Sequence, residues 1–247
     1  MLSRMDVVLP NEGNEKLNYN TGVLLYGYMM EQVGEYAQEL HEQGIKPYSQ
    51  YLFFDKAQNS YVWRINTMTE SAYERLLLPL KDALKKDIFI KNKEMNIAYE
   101  KMVDYKQISN DELLKKYYLS DTTAKYITLK FVTPCSFHSF GEHVFVPDIR
   151  LIMKSFMSKA DAFTEVSFQD EETLQSLVQN IRLSEYSIKS TVYYLSRVKI
   201  KSFVGTVTFV VNGPDMLKRL AGMLFGYGEY SGVGVKSTQG MGGIQIL

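Results

Sequence analysis

Apolar positions along the chain recur with two different periods, and the order of those periods predicts its secondary structure. Short runs in which apolar and polar residues alternate predict strands, because successive side chains of a strand point to opposite faces. Stretches in which apolar residues return every third or fourth position predict helices. In the first half the predicted order is a strand at 6–9, a helix at 20–39 that Gly34 divides, strands at 50–55 and 60–66, a helix at 70–85 that Thr69 caps, and strands at 88–91 and 95–105.

The second half repeats this order on a larger scale. Residues 109–121 are polar and are predicted to link the halves. Beyond them the pattern predicts strands at 126–132, 143–146, 185–201, 205–211 and 243–247, with helices at 147–162, 171–182 and from Asp215 onward. The order β-α-β-β-α-β is the ferredoxin-like pattern. The sequence therefore predicts an α+β fold of two tandem ferredoxin-like (RRM-like) domains, at residues 1–118 and 119–247.

The composition is that of a folded protein whose charges balance overall but not locally. The 247 residues are 45% hydrophobic and 23% charged, with a formal net charge of zero. Residues 181–247 carry eight lysines and arginines against three acidic residues, a net charge of +5. An excess of positive charge suits a polyanionic partner, although a chance asymmetry would look the same.

The chain shows no pattern typical of secretion, metal binding or membrane insertion. Its one cysteine, Cys135, has no second cysteine to pair with inside the chain. No Cys/His spacing fits structural zinc, the first residues lack the apolar core of a signal peptide, and no apolar run approaches a membrane span. We therefore expect a cytoplasmic protein with no metal, no cofactor and no membrane association.

A glycine-rich stretch, GYGEYSGVGVKSTQGMGG at residues 226–243, lies between a helical pattern and the last strand. Glycine adopts positive φ readily, and successive free N–H groups in such a loop form a concave anion site. A dinucleotide-binding fingerprint is rejected because that motif follows a strand and opens a helix. A long connection without a ligand stays open, but loops of this length are usually functional or disordered, and a phosphate-holding loop is favoured. Its predicted contacts are Gly232, Gly234, Lys236, Ser237, Gly240 and Gly242.

Three basic residues alternate with apolar ones near residue 200. Arg197, Lys199 and Lys201 are separated by Val198 and Ile200, so on one strand all three would point to the same side. Ferredoxin-like sheets commonly bind RNA, as in the RRM. These three residues are therefore predicted to contact RNA, although a solvated strand face would have the same pattern.

Three segments of the chain resemble the CRISPR-associated endoribonucleases of the RAMP superfamily, which cut precursor CRISPR RNA within its repeats. The most specific is YSGVGVKSTQGMGG at residues 230–243, which is similar to the family's glycine-rich loop. The second comprises residues 133–137 and continues at 147–156. In the third, residues 22–49, a tyrosine-bearing helix leads into Leu-His-Glu and then Lys-Pro-Tyr-Ser. The segments occur in the family's order and span most of the chain.

The resemblance implies tandem ferredoxin-like domains that bind CRISPR repeat RNA and cleave it without a metal to mature guide RNA. Family active sites commonly use a histidine in the loop after the first helix, with a tyrosine from that helix and a nearby lysine. His41, Tyr26 and Lys46 occupy those places and are the predicted catalytic residues. The ribose 2′-OH would attack the adjacent phosphate, leaving a 2′,3′-cyclic phosphate and a 5′-hydroxyl. Histidine can be base or acid at neutral pH, tyrosine a proton donor or positioner, and lysine a stabiliser of phosphate charge.

Two other functions stay open at this level. A non-catalytic RAMP subunit would keep the fold and hold guide RNA within a CRISPR effector complex, and an unrelated RRM-like module would explain the fold and charge without the ordered motifs. A two-metal nuclease is disfavoured, because the carboxylates are scattered or, like Glu31, Glu35 and Glu39, follow the helical spacing of a solvated face. Contact of the enzyme with an effector complex, and the choice between a monomer and a homodimer, are left undecided.

Overall fold

Two four-stranded antiparallel sheets, one in each half of the chain, organise the computed structural model. The structure describes residues 1–14, 16–84, 87–118, 125–164, 167, 170–195 and 198–247. In each sheet the spatial order of the four main strands is second, third, first, fourth, which is the ferredoxin-like arrangement. The predicted α+β fold of tandem ferredoxin-like domains is confirmed.

The N-terminal sheet has the order β2-β3-β1-β6, with helices connecting β1 to β2 and β3 to β6. Its strands are β1 (Leu2–Pro10), β2 (Tyr48–Asp55), β3 (Ser60–Thr67) and β6 (Lys101–Ile108), and a small separate hairpin is made by β4 (Ile88–Ile90) and β5 (Met95–Ile97). The helices are α1 (Gly22–Gln32), α2 (Tyr36–Glu42), α3 (Glu70–Ala72) and α4 (Leu78–Ala83), with a π turn at Tyr73–Leu77 between the last two.

The boundaries of these elements follow local chemistry. Gly34 has a φ of +57° and separates α1 from α2, as predicted. The Thr69 side chain accepts a hydrogen bond from the amide of Ala72, as an N-cap should. The predicted strand at 95–105 is wrong in extent, since β5 ends at Ile97 and a new strand begins at Lys101.

The C-terminal sheet has the order β10-β11-β7-β12. A connecting helix, α5 (Asn110–Tyr118), precedes it. The remaining elements are β7 (Tyr126–Cys135), β8 (Phe137–Ser139), β9 (Glu142–Val144), α6 (Ile149–Phe163), α7 (Glu171–Asn180), β10 (Ile181–Leu195), β11 (Val198–Val211), α8 (Asp215–Ser231) and β12 (Ile244–Ile246).

The predicted strand at 185–201 is wrong, because the chain reverses inside it. Leu195 on β10 pairs with Val198 on β11. Two residues further from this end, Tyr193 pairs with Ile200, and Tyr193 and Ile200 are both buried. Apolar residues occur on both sides of the reversal between Leu195 and Val198, and periodicity alone therefore does not reveal it. Arg197 lies outside the described residues, so its predicted place beside Lys199 and Lys201 is not described.

The glycine-rich stretch also begins later than predicted. Helix α8 continues through Gly226 and Gly228 to Ser231. A Cβ at Gly226 would lie 2.3 Å from the Tyr117 hydroxyl, and one at Gly228 would lie 2.3 Å from the Phe156 ring. These two glycines serve close packing within a helix, and the loop itself spans residues 232–243, which we call the glycine loop.

The two halves are joined by α8 and the glycine loop. Helix α8 packs on β1, β2 and β3 of the N-terminal sheet. Arg4 on β1 donates to the carbonyl of Glu229 at 2.8 Å and lies over the Tyr230 ring, 4.5 Å from its centroid. Ser49 Oγ donates to the Tyr230 carbonyl at 2.5 Å. The domain boundary predicted at 118/119 borders residues 119–124, which are not described, and stays a prediction.

Candidate active site in the cleft between the halves

A cleft of about 410 Å³ opens where the two halves meet, and both contribute to its walls. The first half supplies residues of α1, of the end of α2 and of the segment that follows it, while the second half supplies α6 and the glycine loop. Among the described residues that line the cleft none is acidic, whereas three are lysines. The lining comprises Tyr26, Leu40, His41, Gly44, Ile45, Lys46, Tyr48, Ser155, Ser158, Lys159, Lys236, Ser237, Thr238 and Gln239.

His41 and Lys46 lie together at one end of the cleft. His41 is exposed in the last turn of α2. The ammonium of Lys46 donates to the backbone carbonyl of His41 at 3.0 Å and also to that of Gln43. A lysine in this position satisfies carbonyls that the end of a helix leaves unpaired and complements the negative end of its dipole. Partial burial lowers the pKa of Lys46. Lys46 thus fixes the backbone that carries the imidazole.

Tyr26 enters the cleft from α1 through a short row of hydroxyl groups. Tyr48, at the start of β2, is buried and lies next to Tyr26 and Thr238 on the wall of the cleft. Burial and the neighbouring Tyr26 raise the pKa of Tyr48, while the side chain of Thr238 acts in the opposite direction. Tyr48 therefore stays protonated at neutral pH, and the row connects α1 to the glycine loop across the domain junction.

Packing inside the chain explains the glycines of the loop. Gly232, Gly234, Gly240 and Gly242 all have positive φ. A Cβ would lie 2.9 Å from Ser237 Cβ at the first, 2.3 Å from the Ser136 carbonyl oxygen at the second, 2.5 Å from the Tyr193 hydroxyl at the third and 1.9 Å from the Val233 carbonyl oxygen at the fourth. Gly232, Gly240 and Gly242 are buried, so these residues shape the loop.

The segment of the loop that faces the cleft keeps its amides free. Among the described residues no acceptor is hydrogen-bonded to the backbone amides of Lys236, Ser237 and Thr238, whereas those of Gln239 and Met241 return to the Lys236 carbonyl at 2.9 and 3.2 Å. Lys236 itself has a φ of +56° and is exposed. Successive free amides next to a residue with positive φ are an arrangement that suits a concave anion site, and the binding of a phosphate by this loop stays a prediction.

Sequence reasoning missed Lys159, which lies behind the glycine loop. Its ammonium donates to the carbonyls of Ser231 and Gly232 and to Ser237 Oγ, each at 3.0 Å. Burial lowers its pKa to about 7, while the nearby Cys135 acts weakly in the opposite direction. A signal was present in the sequence, because Lys159 falls on the same helical face as Ile152 and Phe156, which are both fully buried. A charged residue on an apolar stripe needs buried partners.

The cleft brings together five of the twelve predicted site residues, and the four predicted glycines of the loop are not among them. Tyr26, His41, Lys46, Lys236 and Ser237 all line it. Lys199 and Lys201 lie on one exposed face of β11 and do not line the cleft.

The described part of the chain shows neither a metal-binding cluster nor a membrane-spanning helix. No group of three or more His, Cys, Asp or Glu side chains is placed to hold a metal ion. No helix in the described part of the chain is long and apolar enough to cross a membrane.

Comparison with known proteins identifies the family. Residues 129–244 match the family model of CRISPR-associated endoribonuclease Cas6. The Cas6 endoribonuclease of Streptococcus thermophilus is 31% identical over 229 residues, which cover 91% of this chain and 90% of the relative. That of Mycobacterium tuberculosis is 29% identical over 226 residues, covering 91% and 71%.

Solved structures show the same fold. A Cas6 product complex superposes with a TM-score of 0.81 at 20% identity, covering 100% of this chain and 99% of the other. Thermus thermophilus Cas6 superposes with a TM-score of 0.73 at 19% identity, covering 100% and 98%. The extent and identity of the Streptococcus match show that the chain belongs to the Cas6 family of CRISPR-associated endoribonucleases.

Proposed function

We propose that the chain binds CRISPR repeat RNA with the scissile phosphate in the cleft and cleaves it there, without a metal ion, to mature guide RNA. The ribose 2′-OH attacks the adjacent phosphate, and the products carry a 2′,3′-cyclic phosphate and a 5′-hydroxyl. The enzyme then has to supply a base near the 2′-OH, an acid near the leaving 5′-oxygen and positive charge near the phosphate.

The proposal assigns proton transfer to His41. It is the one histidine among the described residues that line the cleft, and imidazole can accept or donate a proton near neutral pH. Tyr26 reaches the cleft from α1 and lies beside Tyr48. Its hydroxyl is placed to orient the 2′-OH or to donate to the leaving oxygen, because phenol stays protonated at neutral pH.

Lys46, Lys236 and the free amides of the glycine loop are assigned to the phosphate. Two of the three protons of Lys46 bind backbone carbonyls, which leaves one for the substrate. Lys236 is exposed at the rim of the cleft, beside the amides of Ser237 and Thr238. The buried glycines Gly232, Gly240 and Gly242 contribute by giving the loop its shape.

The main support for the proposal is that residues far apart in the sequence line the same cleft. Tyr26, His41 and Lys46 come from the first half, and Lys236 and Ser237 from nearly two hundred residues later, yet all line the same space. A binding subunit would need the basic loop but not the histidine and the tyrosine. We therefore favour the cleaving enzyme over the non-catalytic RAMP subunit.

The test is cleavage of end-labelled repeat RNA in EDTA. We expect wild-type protein to cut the RNA and to leave a substrate with 2′-deoxyribose at the cleavage site intact. His41→Ala should lower the single-turnover rate constant by at least about 100-fold, in the range expected for loss of a general acid or base. The matched control is His138→Ala, which removes an exposed histidine on β8 that lies outside the cleft. This control should cut at the wild-type rate.

Two outcomes would contradict the proposal. RNA that stays intact while fully bound to wild-type protein would support the non-catalytic subunit. Equal rates for His41→Ala and His138→Ala would keep the enzyme and remove His41 from its mechanism.

We further propose that Lys199 and Lys201, on the exposed face of β11, bind RNA beyond the cleft, together with Arg197, which lies outside the described residues. The protein is proposed to work in the cytoplasm, with its two domains at residues 1–118 and 119–247. Light scattering on the purified protein with and without repeat RNA would distinguish a monomer from a homodimer. Pull-down with tagged protein would show whether an effector complex takes up the product.

A further inference from the structure

All three ammonium protons of Lys159 are donated in hydrogen bonds to groups within the protein. Its Nζ donates to the carbonyl oxygens of Ser231 and Gly232 and to Ser237 Oγ, each at 3.0 Å. The first two partners end helix α8, and the third lies on the cleft wall. Lys159 has no proton left for the substrate. Lys159 can therefore affect RNA cleavage only through the three groups that accept its hydrogen bonds.

The Ser237 hydroxyl is the one of these three groups that still has a proton to give. Because its oxygen accepts from Lys159, its own O–H has to point elsewhere. No acceptor for this O–H is found among the described residues, and the Ser237 carbonyl is already occupied by the amide of Gln50 at 3.1 Å. Ser237 lines the cleft that also holds His41 and Lys46. The hydroxyl proton of Ser237 is thus available to a group bound in that cleft.

We propose that Ser237 Oγ–H donates a hydrogen bond to a non-bridging oxygen of the scissile phosphate, and that Lys159 is the positioning residue that directs and polarises this hydroxyl. The inference rests on the proposed function of the same cleft. A donor fixed before the substrate arrives stabilises charge that develops in the transition state without reorganising at that moment. The ammonium behind it strengthens the donor, because hydrogen bonds in a chain polarise one another.

The arrangement depends on the proton of Lys159. If the amine is neutral, its lone pair can accept the Ser237 O–H, and the hydroxyl turns away from the cleft. Burial lowers the pKa of Lys159 to about 7, and three oxygen partners favour its charged form. The Cys135 thiol beside it stays neutral, since burial raises the pKa of that thiol. The other titratable groups of the cleft are Tyr26, His41, Lys46, Tyr48 and Lys236.

The test compares Ser237→Ala, Lys159→Met and the double variant in single-turnover cleavage of repeat RNA at saturating protein. Each single variant should lower the rate constant by about 100-fold, as for loss of one preorganised donor. The dissociation constant for 2′-deoxy repeat RNA should change by less than about threefold, because the bond strengthens mainly in the transition state. The double variant should be no more than about twofold slower than either single one, because both remove the same interaction.

The pH profile separates this role from a structural one. Wild-type activity should fall on the alkaline side as Lys159 loses its proton. Ser237→Ala should lack this part of the fall and keep any part that Lys46 causes, because Lys46 is present in both proteins. Ser231→Ala is the matched control, since Ser231 Oγ donates only to the Gly232 carbonyl among the described contacts, at 3.0 Å, at the start of the same loop. It should cut within about threefold of wild type. Where Lys159→Met fails to fold, Ser237→Ala and its pH profile decide alone.

Two results would overturn the inference while leaving the proposed function standing. In the first, Ser237→Ala cuts at the wild-type rate. In the second, the losses of the two single variants multiply in the double variant. Wild-type protein that binds repeat RNA and does not cut it would instead overturn the proposed function itself.

Discussion

At the scale of single residues, Lys159 couples the stability of the fold to pH. Its pKa falls from an ordinary 10.5 to about 7 in the folded chain. At pH values between these two, the unfolded chain binds more protons than the folded chain, so the free energy of unfolding rises with pH. Below pH 7 the folded chain carries the full cost of burying the ammonium. Between pH 7 and 9 the free energy of unfolding of wild type should rise by about 1–2 kcal/mol relative to that of Lys159→Met. This range is reduced to allow for the partly exposed Lys159 side chain.

Urea unfolding of both proteins at several pH values measures this difference. Cys135 would add a contribution of the opposite sign above pH 9, because burial raises the pKa of its thiol. The window from pH 7 to 9 avoids most of that contribution. A difference between the two proteins that stays constant across the window would show that Lys159 keeps an ordinary pKa.

Lys236 is the exposed charge of the glycine loop, and its contribution should depend on salt. Each lysine that contacts a phosphate releases counterions, so Lys236→Ala should weaken binding of 2′-deoxy repeat RNA and reduce the slope of log K against log salt by about one. The matched control is Lys56→Ala, an exposed lysine in the β2–β3 turn and outside the cleft. Filter binding at several salt concentrations measures both slopes. Equal slopes for the two variants would remove Lys236 from the phosphate site.

At the scale of elements, one glycine substitution should destabilise the protein and another should stabilise it. Gly242 has a φ of +65°, and a Cβ there would lie 1.9 Å from the Val233 carbonyl oxygen. Gly242→Ala should therefore cost at least about 2 kcal/mol of unfolding free energy. Gly27 lies in α1 with nothing within 4 Å of an added Cβ, so Gly27→Ala should stabilise by about 0.5–1 kcal/mol. Chemical unfolding measures both, and a neutral Gly242→Ala would mean that the loop has another shape.

Elements defined by local chemistry could be predicted from the sequence, and elements defined by tertiary packing could not. The break at Gly34 and the cap at Thr69 depend on one residue and its neighbours, and both were found. The sequence pattern predicts a loop at Gly226 and Gly228, whereas both lie in a helix and are glycine because an aromatic ring approaches from another helix. The pattern also does not predict the reversal between Leu195 and Val198, because apolar residues occur on both sides of it.

The residues of the candidate site also fall into those that could be predicted from the sequence and those that could not. The resemblance between ordered segments predicts His41, Tyr26 and Lys46 as catalytic residues, and in the structure all three line one cleft. The role of Lys159 can be seen only from its hydrogen bonds to oxygens of residues about seventy or more positions away along the chain. Its place on an apolar helix face signals burial, but only the folded structure shows the partners.

At the scale of the whole molecule, Gln50 joins the two halves through buried hydrogen bonds. Its side-chain amide donates to the carbonyls of Gly22 at 2.9 Å and Thr238 at 3.1 Å, and accepts from the indole of Trp63 at 2.9 Å. Its backbone amide donates to the Ser237 carbonyl. Because the glycine loop is fastened to the core of the N-terminal sheet in this way, we expect the two halves to unfold together.

The single tryptophan allows this expectation to be measured. Trp63 fluorescence reports on the N-terminal sheet, while far-UV circular dichroism reports on the whole chain, so the two midpoints should coincide in wild type. Gln50→Leu should lower both midpoints by an amount equivalent to about 3 kcal/mol of unfolding free energy, because it leaves buried polar groups without hydrogen-bond partners. Gln58→Leu, at the exposed β2–β3 turn, should change either by less than about 0.5 kcal/mol. Separate midpoints in wild type would mean that the halves are independent, and the cleft between them would then need RNA to hold it together.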